Sequence, residues 1–143
     1  MKKTMQKTVS VLLVILLLLG LSACGNTANK PADLWDNATY LQDTTFGEGA
    51  KTLTVVVKAE EKSVTFTVNT DKDTVGAALF EHNLIDGEEA EYGLYLKVVN
   101  GITADYDVDQ SYWAFYIGND YAMSGVDSTE ITEGVTYQLV YTK

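Results

Sequence analysis

Two neighbouring segments, residues 53–59 and 63–69, carry the residue pattern of paired β-strands. The first is rich in valine, and the second alternates strictly between apolar and polar residues. The polar residues at positions 60–62 between them are typical of a tight turn. The chain is therefore predicted to contain a β-hairpin with one apolar face, and the other elements of the fold must cover that face.

A short amphipathic helix is predicted over residues 74–84, because apolar residues recur there at helical spacing and Asp73 or Thr74 can cap its start. The acidic residues 86–91 are predicted to be a connection. Asn100-Gly101 is a signal for a type I′ turn. Further strands are predicted at residues 94–99, 112–117 and 136–141. This order of elements predicts an α+β fold, a β-grasp-like mixed sheet of four to five strands with one packed helix.

The N-terminus has the layout of a secretory signal peptide. Three lysines precede an apolar run at residues 11–19, and Leu21-Ser22-Ala23-Cys24 follows it. Small residues directly before a cysteine indicate a lipobox, in which Cys24 becomes the lipidated N-terminus and carries diacylglycerol and palmitate. A membrane-spanning helix needs about 20 apolar residues, which is more than this run supplies. The other alternative is an ordinary signal peptide that a cysteine happens to follow.

These features divide the chain into three predicted parts. Residues 1–23 form a lipoprotein signal peptide, residues 24–50 form the lipidated N-terminus and a tether, and residues 51–143 form the folded domain. The expected location is extracytoplasmic, at the outer face of the cell membrane and anchored there by lipid.

Composition excludes several classes of function. The formal charge is −10, and the chain contains no arginine, so nucleic acid is a poor partner. The single cysteine is Cys24 and the single histidine is His82, so a zinc site built from several such residues is excluded. No G-x-S-x-G elbow or paired catalytic constellation occurs. The chain is therefore predicted not to be an enzyme and to need no cofactor.

An aromatic stretch, residues 112–127, followed by the acidic-Gly-x-x-Tyr pattern of residues 133–137, is too particular for a generic strand. Together these segments resemble the transcobalamin-like C-terminal domain, and the resemblance covers roughly residues 51–143. That domain closes over cobalamin in intrinsic factor, transcobalamin and haptocorrin, and a related stand-alone form occurs in bacterial surface lipoproteins. The resemblance implies a β-grasp module whose ligand-facing segment corresponds to residues 121–126.

The leading functional hypothesis is capture of a small ring-bearing nutrient for uptake, with cobalamin or another corrinoid as the first candidate. Aromatic rings can stack on a flat ligand, methionine adapts to irregular apolar shapes, and glycine lets backbone approach closely. An uptake transporter or a second binding protein is a possible partner that would supply the other face. The candidate ligand-binding residues are Trp113, Phe115, Tyr121, Met123, Ser124, Gly125 and Val126.

Three alternatives remain open at this point. The domain could be an adhesion or assembly module that binds a protein or glycan, and a flat exposed aromatic patch would favour that function over a pocket. It could also be a spacer without a ligand. Asp105, Asp107 and Asp109 resemble the opening of a calcium loop, but Gln110 and Tyr116 stand where an EF-hand needs Gly and Glu. A looser cation site there could accompany any of these functions. His82 could serve as a cobalt ligand if the protein binds a corrinoid.

Overall fold

The computed structural model describes residues 32–143. The predicted signal peptide, Cys24 and the first part of the predicted tether, up to residue 31, lie outside the described residues. Within the described part, no helix combines the length and the apolar character that crossing a membrane requires.

The described chain is mostly β-structure. Its two α-helices are α1 (Val75–Glu81) and the single turn α2 (Tyr106–Asp109), and two 3-10 turns span Leu34–Asn37 and Val126–Ser128. The strands are β1 (Thr44–Phe46), β2 (Lys51–Ala59), β3 (Lys62–Thr70), β4 (Ile85–Ala90), β5 (Gly93–Val99), β6 (Ile102–Thr103), β7 (Tyr112–Ile117), β8 (Asp120–Tyr121) and β9 (Thr136–Thr142).

The larger sheet has six strands in the order β1-β3-β2-β9-β7-β8. The predicted hairpin is confirmed, because β2 and β3 pair antiparallel along their whole length. Strand β9 runs parallel to β2 and antiparallel to β7, so the last strand of the chain lies at the centre of the sheet. Buried and less buried residues alternate along β2, β3 and β9, because successive side chains point to opposite faces of the sheet. One face of the sheet is therefore buried and forms part of the core.

The smaller sheet has three strands, β4, β5 and β6, joined as two antiparallel hairpins. The turn between β5 and β6 is the predicted Asn100-Gly101 turn, and both residues have the positive φ that type I′ requires. Helix α1 begins where the sequence predicted, since the Thr74 hydroxyl accepts a hydrogen bond from the Ala77 N–H. The smaller sheet and α1 together cover the buried face of the larger sheet.

The predicted fold class is wrong. The structure has two sheets of six and three strands and little helix, whereas a single sheet of four to five strands with one helix was expected. Two strands that had no counterpart in the prediction contribute to the difference. The acidic segment predicted as a connection forms β4, which pairs with β5, and β1 adds a short parallel strand at the edge of the larger sheet.

The folded unit also begins before residue 51. The Trp35 side chain is buried, and its indole N–H donates to the Ala59 carbonyl at 3.0 Å. Tyr40 packs edge-to-face against Phe46 and Phe66, with ring centroids 5.1 and 5.8 Å away. Residues from Asp33 onward therefore belong to the same compact unit as the rest of the described chain, and the tether boundary at residue 50 is corrected to about residue 32.

Candidate functional site

A concave groove of about 360 Å³ lies between β5 of the smaller sheet and the β7–β8 edge of the larger sheet. This volume falls within the range of small-molecule sites, about 300–1,000 Å³. The residues that line the groove come from the β4–β5 turn and β5, from β7, and from β8 and the chain that follows it. They are Tyr92, Leu94, Tyr95, Leu96, Tyr112, Trp113, Phe115, Tyr121, Ala122, Met123, Ser124, Gly125 and Val126.

All seven candidate ligand-binding residues from the sequence analysis line this one groove. They occupy different depths in it. Val126 is buried in the core, whereas the Met123 side chain is 98% exposed. On the opposite wall Tyr92 is 93% exposed. The groove thus has an apolar base and a mouth bordered by two large side chains that make few contacts within the domain.

Trp113 and Phe115 form part of the base but present little surface. Trp113 is only 6% exposed, its indole N–H donates to the Ile102 carbonyl at 3.3 Å, and its ring packs edge-to-face on Tyr141. Phe115 is 8% exposed and stacks on Tyr137, with ring centroids 6.0 Å apart. Both rings therefore pack mainly in the core and expose little surface to the groove.

The Tyr121 ring is also turned away from the base. Tyr121 pairs directly with Tyr116, and the two rings meet edge-to-face at 5.5 Å. Directly opposed residues project to the same face of a sheet, and Tyr116 alternates with Phe115 along β7. Tyr121 therefore borders the groove from the outer face of the sheet. Of the aromatic residues bordering the groove, Tyr92 presents the largest exposed surface to a ligand.

The segment 122–129 that forms one wall is tied down at several points. The Ala122 N–H donates to the Phe115 carbonyl at 2.9 Å, which continues the β7–β8 pairing. The Thr129 hydroxyl donates to the Gly125 carbonyl at 2.8 Å and lies 3.1 Å from the Ser124 hydroxyl oxygen. Helix α1 packs against the same segment at Gly76, where a Cβ would come 3.0 Å from Asp127 backbone atoms. This wall is therefore built into the domain.

Asp127 joins the two walls. Its Oδ2 accepts a hydrogen bond from the Leu94 N–H at 3.2 Å. Gly93, at φ +112°, lies so close that a Cβ would sit 3.0 Å from the same oxygen. A Cβ at Gly125 would come 2.7 Å from Oδ1. The carboxylate thus fits between glycines on opposite walls and fixes the position of the β4–β5 turn.

None of the lining side chains is charged. Tyrosine hydroxyls, the Ser124 hydroxyl and backbone groups supply the polar atoms. The nearest lysine along β5, Lys97, donates to Glu88 Oε1 at 2.9 Å and lies 3.8 Å from Asp105 Oδ2. The hydrogen bond to Glu88 raises the pKa of Lys97 above its ordinary value. Lys97 therefore stays cationic but is already paired with acidic residues.

Two of the three aspartates that resemble a calcium loop hold hydrogen bonds within the chain. Asp105 caps α2 by accepting from the Asp107 N–H at 3.0 Å. Asp109 accepts from both the hydroxyl and the N–H of Ser111, and these bonds lower the pKa of its carboxyl group. Among residues 32–143, no three His, Cys, Asp or Glu side chains come together in an arrangement that could hold a metal ion.

His82 lies at the C-terminal end of α1 and does not line the groove. Its ring is tilted against Phe46, and its Nε2 is buried without a hydrogen-bond partner among the described residues. The structure thus places the hypothetical cobalt ligand under β1, apart from the predicted ligand-facing segment.

Sequence reasoning missed the opposite wall. Tyr92, Leu94 and Leu96 line the groove beside the predicted residues, and Tyr95, Tyr112 and Ala122 complete the lining. A signal was present, since residues 92–96 are largely aromatic or leucine directly after an acidic segment. It could not be assigned to the groove, because only tertiary packing brings β5 next to β7.

Comparison with known proteins places the chain in a family. The family described as Domain of unknown function (DUF4430) matches residues 72–143, about half of the chain, and these residues include both walls of the groove. The chain belongs to the DUF4430 family. Its description assigns no activity, so the family membership leaves function open. No curated protein matches the chain.

Two solved structures resemble the DUF4430 chain. A protein of Ruminococcus gnavus ATCC 29149, provisionally described as metal-binding, shares 32% sequence identity at a TM-score of 0.62, over 66% of this chain and 98% of that one. Haptocorrin in complex with Cbi matches at a TM-score of 0.53 and 17% identity, over 68% of this chain and 26% of haptocorrin. The second likeness shows that the transcobalamin-like fold is shared.

Proposed function

We propose that this protein captures a small amphipathic, ring-bearing ligand in the groove and acts as a binding module, not as an enzyme. The observation that carries the proposal is a concave, uncharged groove whose mouth is bordered by the exposed side chains of Tyr92 and Met123. Large apolar groups are costly to leave in water, and an exposed cluster of them at a cavity is typical of a binding surface.

A corrinoid is the first candidate ligand. The fold shared with haptocorrin, which was solved with Cbi bound, supports this choice, as does the resemblance of the aromatic stretch to the transcobalamin-like domain. The groove is open on one side, so a broad ring would remain partly in water and binding would be weaker than in a closed clamp. A transporter or second binding protein would then cover the exposed side of the ligand.

The concave shape also favours a small ligand over adhesion to a protein or glycan, for which a flat aromatic patch was expected. Metal binding, the provisional description of the R. gnavus protein, has less support here. Residues 32–143 offer no group of three ligands for an ion.

The signal-like N-terminus and Cys24 support a lipid anchor at the outer face of the membrane, where such capture would take place.

The proposal is tested by calorimetric titration of cobinamide and cobalamin into a chain that begins after Cys24. We expect dissociation constants of about 1–100 µM, because one open face buries part of the ligand. Tyr92→Ala and Met123→Ala should each weaken binding by about fivefold or more, since each removes apolar contact area at the mouth.

Two variants serve as matched controls. Tyr106 and Val108 on α2 are also exposed, at 54% and 81%, but do not line the groove. Tyr106→Ala and Val108→Ala should leave affinity unchanged. Absence of heat at about millimolar ligand would correspond to less than about 4 kcal/mol of binding free energy and would eliminate corrinoids as ligands of the protein on its own.

Cys24 is tested separately by following the lipid. Radiolabelled palmitate should enter the wild-type protein in growing cells and should not enter a Cys24→Ser variant. Release of the wild-type protein without label would contradict the proposed anchor.

A further inference from the structure

The Leu94 end of the groove differs from the rest because carboxylates surround it. Glu89 pairs directly with Leu94 across the β4–β5 hairpin, so the two side chains project to the same face about 5 Å apart. Asp127 accepts the Leu94 N–H on the opposite wall. Glu91 directly precedes Tyr92 in the turn. Glu89, Glu91 and Asp127 are all exposed.

Four of the six lysines among residues 32–143 are already held in ion pairs. Lys97 is an odd number of residues from Leu94 and Leu96 along β5, so it projects to the opposite face, where it meets Glu88 and the ring of Tyr95. Lys51, Lys62 and Lys143 form ion pairs with Asp73, Asp33 and Asp109, none of which borders the groove.

The Asp127 carboxylate has remaining capacity to accept hydrogen bonds. Its Oδ2 holds the Leu94 N–H, whereas Oδ1 accepts no hydrogen bond from residues 32–143. A carboxylate can accept about four hydrogen bonds. Oδ1 lies beside Gly125, a lining residue with no side chain to shield it. A donor group on a ligand can therefore approach this oxygen from the groove.

We infer that the groove selects ring compounds that carry a positive charge or N–H donors at the Leu94 end and rejects ring compounds that are anionic there. This inference rests on the proposed function and names its ligand class. The uncharged base of the groove contacts the ring through apolar side chains. The acidic rim, formed by Glu89, Glu91 and Asp127, attracts a cationic ligand and repels an anionic one. An anionic ring would meet three carboxylates near the Leu94 end, which raises the cost of its approach.

The inference is tested with two flat tricyclic dyes of similar size and opposite charge, cationic methylene blue and anionic resorufin, at pH 8 and low ionic strength. The full-length chain is held in phosphatidylcholine nanodiscs, with empty nanodiscs as the blank. We expect methylene blue to bind at least about five times more tightly than resorufin, and the difference to shrink as salt screens the rim charges.

A pair of charge-matched variants identifies the carboxylates responsible. Glu89→Gln combined with Glu91→Gln removes two charges at the rim, and Glu60→Gln combined with Glu61→Gln removes two at the β2–β3 turn. The first pair should reduce the preference for methylene blue at least about twofold, and the second should reduce it distinctly less, because the attraction between charges weakens with distance.

The outcomes separate the two proposals. Equal affinity for the two dyes, or an equal effect of both variant pairs, overturns the charge selection and leaves ligand capture standing. Failure of both dyes to bind also overturns it, and the cobinamide titration then decides whether ligand capture fails as well.

Discussion

At the scale of single residues, Asp127 is the side chain on which the groove most depends. It links the β4–β5 turn to the wall formed by residues 122–129. Asp127→Ala should lower the free energy of unfolding by about 1 kcal/mol, since one hydrogen bond from a backbone N–H to a carboxylate is lost. Urea denaturation measures this loss.

The same substitution should weaken ligand binding more than the stability loss alone explains, because the Tyr92 wall is no longer held in place. The Leu94 amide signal in NMR spectra should shift at the same time. Asp120→Ala, an exposed aspartate in β8, provides the control. An unchanged Leu94 signal in Asp127→Ala would contradict the link between the walls.

At the scale of elements, the β5–β6 turn contacts the N-terminal segment directly. Gly101 has φ +77°, and a Cβ there would come 2.5 Å from the Asn37 carbonyl oxygen. Gly134 has a similar φ of +81° with nothing within 4 Å. Gly134→Ala should cost about 1 kcal/mol of stability for backbone strain alone, and Gly101→Ala should cost about 3 kcal/mol, since overpacking adds to that strain.

Thermal or urea unfolding of the two glycine variants measures this difference. Equal losses would show that the N-terminal segment yields freely and is not packed tightly against the turn. A larger loss for Gly101→Ala would locate residues 37–39 in the stable part of the fold.

Sequence patterns predicted elements unequally, and the reasons are physical. Strands β2, β3 and β9 were predictable because burial alternates along each of them. Strand β7 has three consecutive buried residues and was predictable from its aromatic composition. Strand β4 was missed because four of its six residues are exposed and charge masks any alternation. Strand β1 has three residues and a parallel partner 22 positions away, so no local pattern defines it.

The candidate groove shows the same division. Met123, Ser124 and Gly125 could be identified from residue type and spacing, since they lie in one short segment. Tyr92 and Leu94 could not, because the contact between β5 and β7 joins segments that the sequence separates. Trp113 was predicted to provide a stacking surface, but its ring packs against Tyr141 and its indole N–H donates to the Ile102 carbonyl. The sequence does not show these tertiary contacts.

At the scale of the whole molecule, stability should depend on pH at both ends of the range. Hydrogen bonds from Ser111 lower the pKa of Asp109 below its unfolded value of about 3.9. A lowered folded pKa contributes stability above the unfolded pKa, and that contribution disappears as pH falls through the folded pKa. The raised pKa values of Lys62 and Lys97 act in the opposite sense and lose their contribution as pH rises past 10.

Asp109→Asn should therefore flatten the acid side of the stability curve, measured by urea unfolding at a series of pH values from about 5 to about 2. Asp107→Asn is the control, because Asp107 lies two residues away and accepts no hydrogen bond from Ser111. It should leave the acid side of the stability curve unchanged. Equal flattening by both variants would contradict the assignment to the Asp109–Ser111 pair.

The burial of Trp35 under the end of β2 has a mechanical consequence. If the chain is tethered to a membrane through Cys24, any drag on a captured ligand is transmitted along residues 25–32 and reaches the domain at Asp33 and Trp35. The first bonds to bear that load are the Lys62–Asp33 ion pair and the indole N–H bond to Ala59. The groove is built from residues 92–126, so this segment can yield under tension while the ligand stays bound.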